Sequence, residues 1–100
     1  MGLIVKNKDG NNVKISNTDI IIDNVYLRLV YVAKANGEDV EVELLPYQDK
    51  SKYTEGLVLN NITLPRVVEG KVVEQTLVDV HDLTKDKLED LGFDVEIDLD

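Results

Sequence analysis

The dipeptide Asn36-Gly37 sits between two runs that carry apolar side chains at every second position, and it constrains the fold more than any other feature. A two-residue type I′ turn needs positive φ at both central positions, which Asn and Gly supply at little cost. The pattern therefore predicts a β-hairpin over residues 25–45. Its register follows by counting. Ala35 faces Glu38 and Lys34 faces Asp39, which sets Ala33 opposite Val40, Tyr31 opposite Val42 and Leu29 opposite Leu44. One face is apolar on both strands. The other is mixed: Lys34 meets Asp39, Arg28 lies diagonal to Glu43, and Val30 and Val32 face Glu43 and Glu41. A slip by one residue would carry Val40, Val42 and Leu44 to the mixed face, so the register is strongly specified.

Around this hairpin the rest of the chain reads as a sheet with one helix. Residues 3–6 and 13–16 flank Asp9-Gly10-Asn11-Asn12, a turn sequence that predicts a second, smaller hairpin at one edge. Ile20, Ile21 and Ile22 form a continuous apolar run between Asp19 and Asp23, and two readings fit it: burial on both faces, or partial burial in a partner. Pro46 is expected to end the return strand, because it cannot donate a ladder hydrogen bond. Residues 47–56 turn polar and read as the longest loop. Residues 57–59 and 62–64 are short β-like pieces, and Glu69-Gly70 reads as a further turn.

Between residues 76 and 91, Thr76, Val78 and Val80 favour a strand, but periodicity favours a helix. At 3.6 residues per turn Leu77, Val80, His81, Thr84, Leu88 and Leu91 form one stripe, with Asp79, Asp82, Asp86, Glu89 and Asp90 opposite. Gly92 supplies the C′ stop. Residues 93–100 alternate strictly, Phe93, Val95, Ile97 and Leu99 against Asp94, Glu96, Asp98 and Asp100, as in a half-buried strand. The expected class is α+β, mainly β, in a single domain over residues 1–100. An antiparallel sheet or small sandwich is built on the long hairpin, with one C-terminal amphipathic helix followed by a final strand.

Charge and composition narrow the chemistry. Twenty acids against eleven bases leave a net charge of −9, with no cluster of Lys or Arg beyond short runs such as Lys50 and Lys52. Nucleic-acid binding is disfavoured, since it draws much of its affinity from neutralised phosphates. There is no cysteine, hence no disulfide, thiolate ligand or thiol nucleophile. No run reaches the roughly 18 to 20 apolar residues of a membrane span, and residues 1–6 are too short for a signal peptide, which suggests a cytosolic or assembled protein. His81, the single histidine, lies near Asp79 and Asp82, yet its place at the margin of the apolar stripe favours a local hydrogen bond over a base or metal ligand. Carboxylates spaced along a strand sit roughly 6.5 to 7 Å apart, too far to converge on one cation. Asp94, Glu96, Asp98 and Asp100 therefore form a solvated face or meet a basic partner. No nucleophile elbow, phosphate loop or dinucleotide fingerprint is present, so neither catalysis nor a cofactor or metal is expected. Tyr47 and Tyr53, in a polar segment, either serve an interface or pack their own loop onto the sheet.

Val25-Tyr26-Leu27-Arg28-Leu29, the Asn36-Gly37 turn, Leu45-Pro46-Tyr47-Gln48-Asp49-Lys50 and the stretch from Val80-His81-Asp82 to Leu91-Gly92-Phe93 together resemble small β-rich virion proteins of tailed bacteriophages. Those are tail, neck or capsid-associated subunits that work as copies in rings or trimers. The resemblance covers the central hairpin and the C-terminal helix. It implies an architectural role without catalytic residues, in the virion and, during assembly, in the bacterial host cytoplasm. The implied partners are other virion proteins and further copies of the chain. The acidic strand and the Ile20 to Ile22 run are not motifs of any one such subunit. On this reading the expected interface comprises Ile20, Ile21, Ile22, Tyr47 and Tyr53, with Asp94, Glu96 and Asp98. The alternative is a monomeric acidic module that docks a basic protein through the last strand and the acidic side of the helix.

Overall fold

The computed structural model describes residues 1–8, 12–22, 24–34, 39–56, 58–59, 61–72 and 76–99. A five-stranded antiparallel sheet is built from β1 (Gly2–Lys6), β4 (Val25–Ala33), β5 (Asp39–Tyr47), β6 (Val67–Lys71) and β7 (Asp94–Asp98), in the order β6-β5-β4-β1-β7. A two-stranded sheet pairs β2 (Val13–Lys14) with β3 (Ile21–Ile22). Among the described residues two helices complete the fold, the short α1 (Lys50–Thr54) and the longer α2 (Leu77–Asp90). The hairpin register is the expected one: Ala33 faces Val40, Tyr31 faces Val42 and Leu29 faces Leu44. The Lys34 N–H donates to the Asp39 carbonyl at 2.8 Å, closing the last described rung. Asn36-Gly37 itself lies outside the described residues.

Alternation gives the sheet two unlike faces. Leu3, Val5, Val25, Leu27, Val40, Val42, Leu44 and Val95 point inward and are buried. Helix α2 lies over them through Val80, His81, Thr84 and Leu88, the middle of the expected stripe, while Leu77 and Leu91 at its ends are exposed. Full burial of a side chain such as Leu88 stabilises by about 1.5–3 kcal/mol. Both helix ends are built locally. The Thr76 hydroxyl accepts from the Asp79 N–H as N-cap. At the other end the Gly92 N–H donates to Glu89 and the Phe93 N–H to Leu88, with Gly92 at φ +97°, a Schellman motif.

Several local expectations are corrected. Strand β1 is no edge hairpin with residues 13–16: it lies between β4 and β7, so both of its hydrogen-bonding edges are occupied. Val13 and Lys14 pair instead with Ile22 and Ile21, across a turn with Asn17 in the left-handed region at φ +65°. Asp9, Gly10 and Asn11 lie outside the described residues. Glu69-Gly70 is no turn but part of β6. Gly70 faces α2, and a Cβ there would fall 2.6 Å from Leu83 Cδ1, so glycine serves close helix–sheet approach. Pro46 does not end β5 but lies within it, opposite Leu27. The odd positions of β5 bond to β4, and the even ones point the other way, as the Leu44 N–H to the Arg66 carbonyl does. Pro46 therefore turns its missing donor toward the side where β6 has ended. Residues 47–56 contain α1 rather than loop alone. Of the pieces at 57–59 and 62–64, single bridges remain, Val58 to Tyr47 and Ile62 to Ile15, and Leu57 lies outside the described residues.

Candidate interaction surfaces

His81 is buried, and its Nδ1 lies 2.7 Å from the Leu77 carbonyl one helical turn earlier. A carbonyl only accepts, so Nδ1 carries the proton and Nε2 the lone pair. Nε2 is buried without a hydrogen bond among the described residues. Burial disfavours the imidazolium and pushes the pKa down, outweighing the bond to Leu77. Asp82 is exposed at the next position, so the ring and this carboxylate point to different environments. Among the described residues no three His, Asp or Glu side chains converge as metal ligands would.

The tyrosines meet on the outer face of the sheet. Asp49 caps α1 by accepting from the Lys52 N–H at 2.9 Å, and Lys50 at its first position reaches Asp98 at 3.0 Å. The helix thereby lays Tyr53 between Tyr26, 5.8 Å away, and Tyr47, 5.1 Å away and edge-on. The Arg28 guanidinium sits 4.6 Å from the Tyr53 ring centre. Arg28 thus takes an aromatic partner in place of the expected Glu43. Tyr26 in turn lies over Gly2, where a Cβ would come within 2.6 Å of the phenol oxygen and 2.8 Å of the Leu27 carbonyl. Tyr47 is only 6% exposed and Tyr53 is half-buried, so both are used mainly to hold α1 to the chain's own sheet.

The acidic strand is also partly occupied. Glu96 pairs with Lys6 at 3.1 Å, and Asp98, mostly buried, pairs with Lys50; Asp94 stays exposed, and Asp100 lies outside the described residues. The isoleucine run divides. Ile22 packs against the core, whereas Ile20 is 57% and Ile21 49% exposed. Ile15, Ile21, Ile22, Gln48 and Leu59 line an open cleft of about 400 Å³ beside them. Four aliphatic side chains and one amide, Gln48, form its walls, so it could take an apolar side chain from another molecule with a polar group beside it.

No protein-family model matches the chain, and neither curated protein sequences nor solved structures give a significant match. The functional reading therefore stands on the surfaces themselves. A further surface escaped the reading of the sequence: Val30, Val32 and Val67 are 50%, 66% and 47% exposed on neighbouring strands of the outer face. The signal lay in the valines that break the polar alternation of β4, but their meeting with Val67 depends on the pairing of β5 with β6.

Proposed function

We propose that this protein is a non-catalytic assembly subunit that works by protein–protein contact, joining copies of itself and other components of a tailed-phage virion. The observation that carries the reading is the exposed Ile20–Ile21 pair, of which Ile21 lines an open cleft shared with Ile15, Ile22, Leu59 and Gln48. Two large β-branched side chains left half in water are unfavourable for the isolated chain. Covering them would contribute about 1 kcal/mol each, enough to bias association when several copies meet. The virion setting rests on the resemblance of the central hairpin and C-terminal helix, and particles of that kind form in the host cytoplasm. Self-association through repeated small contacts is the usual logic of rings and trimers.

The test is solution mass by size exclusion with light scattering over a concentration series, on the natural chain and on Ile21→Asp. The natural chain should give a defined oligomer. The variant should shift to monomer while keeping its circular dichroism, because Ile21 contributes little to the core. A natural chain that is monomeric throughout, or a variant that assembles normally, overturns the reading and leaves the monomeric acidic module in its place.

A further inference from the structure

The sheet's two faces are finished unequally. The inner face is covered along β1, β4 and β5 by the core and α2, while α1 covers the outer face only where Tyr26 and Tyr47 lie. Beyond them, cross-strand rows on β4, β5 and β6 stand bare. One row is Val30, Glu43, Val67, and the next is Val32, Glu41, Glu69. Facing side chains in adjacent rows lie within roughly 5–7 Å of one another, so three exposed valines and three carboxylates share one patch.

This patch is unfavourable for a free surface in two independent ways. The valines leave apolar area in water. Glu41 and Glu69 stand directly opposite each other, a like-charge pair, with Lys34 3.0 Å from Glu69 and also attracted to Glu41, and with Lys71 opposite Asp39 at the end of the face. Glu41 and Glu43 make no ion pair or side-chain hydrogen bond among the described residues. What would relieve both is a surface that is aliphatic at its centre and positive around it.

We propose that the outer face of β4, β5 and β6 docks a basic amphipathic helix of a partner protein. Its aliphatic stripe would lie on Val30, Val32 and Val67, and its Lys or Arg residues would meet Glu41 and Glu43. A helix suits this face better than an extended strand. The β5 backbone already bonds β4 on one side and β6 on the other, so a strand laid on top gains no main-chain bonds, whereas a helix satisfies its own. Charge also argues against a second copy here. The chain carries −9 overall, the same face would oppose carboxylates to carboxylates, and the outward side of α2 bears Asp82, Asp86, Glu89 and Asp90. The site is distinct from the Ile20–Ile21 pair, and its occupancy does not depend on self-association.

The experiment uses the full chain, ¹⁵N-labelled, with a synthetic helical peptide carrying a leucine stripe flanked by lysines, and a counterpart with glutamates in place of the lysines. Amide shift changes should centre on Val30, Val32, Glu41, Glu43 and Val67. Fluorescence anisotropy should show that Glu41→Gln with Glu43→Gln weakens the lysine peptide by roughly tenfold, and that salt weakens it as well. The glutamate peptide should not bind, and Ile21→Asp should bind the lysine peptide as the natural chain does. Both replaced glutamates are exposed, so the double variant keeps its fold, which circular dichroism checks. Shift changes centred on the acidic side of α2, equal affinity for the double variant, absence of binding, or dimerisation through this face would each overturn the proposal.

Discussion

The contact between Gly70 and Leu83 is the sharpest place to test how α2 is seated on the sheet. Glycine inside a strand ordinarily lowers stability, and Gly→Ala at a compatible site gains about 0.4–1 kcal/mol by restricting the unfolded chain. At Gly70 the added carbon would lie 2.6 Å from Leu83 Cδ1, 2.9 Å from Cδ2 and 3.3 Å from Cγ. Leucine must turn or the helix must lift, and such overpacking costs about 1–3 kcal/mol. The net expectation for Gly70→Ala is a loss of about 1 kcal/mol, because Leu83 is half-buried and can yield in part. Leu83→Ala alone should lose about 1–2 kcal/mol, below the range for a fully buried leucine. In that second background the obstruction is gone, so Gly70→Ala should change sign and stabilise by a few tenths of a kcal/mol or more. The assay is urea unfolding of the four chains, compared at unchanged m so that midpoints report stability. A coupling of about 1 kcal/mol is expected; losses that add within about 0.5 kcal/mol would refute the claim that Leu83 fills the space above Gly70.

Two further outcomes follow from the buried and aromatic groups. Burial holds the His81 pKa below its ordinary value, so as pH falls below about 6.5 the unfolded chain takes up a proton that the native chain refuses. Stability should decline through that window, down to the lowered native value, and His81→Phe should remove this part of the slope; equal slopes in the two chains would contradict the burial assignment. In double-mutant cycles, Arg28→Met with Tyr53→Leu should show a coupling of about 0.5–1 kcal/mol, whereas Arg28→Met with Glu43→Gln should show nearly none. The reverse ordering would restore the ion pair that the sequence suggested.

The elements that could be read from the sequence are those whose determinants are local. The hairpin register followed from an Asn-Gly turn and period-two alternation, and α2 from a stripe of period 3.6 with Thr76 and Gly92 at its ends. What escaped depends on contacts between distant segments. Nothing near β1 announces that it takes β7, some ninety residues later, as one neighbour and β4 as the other. Gly70 misled because glycine in a turn and glycine beneath a packed leucine look alike in a string of letters. The candidate site divides the same way. The apolar run Ile20 to Ile22 was conspicuous, but only the pairing of β2 with β3 separates the exposed Ile20 and Ile21 from the inward Ile22. Tyr47 and Tyr53 attracted notice as aromatics in a polar segment, and the stacking with Tyr26 and Arg28 shows what that segment is held by. For Asp98, the Lys50 partner comes from α1, nearly fifty residues away in sequence.

The distribution of these contacts also separates folding from recognition. Stability is concentrated on the inner face, where β1, β4, β5 and α2 share fully buried side chains, and in the tyrosine cluster that fastens α1. Both surfaces proposed for partner contact, the Ile20–Ile21 pair and the valine rows, lie outside these two regions, and their apolar side chains are 47–66% exposed. A substitution there removes little that holds the chain together, because area already exposed in the native state contributes little to the area buried on folding. Substitutions at Leu88, Leu27 or Val42 act the other way, leaving cavities beneath surfaces they never touch. If the proposed contacts form, their residues are free to change with the partner while the register, the helix caps and the Gly70 contact keep the same frame.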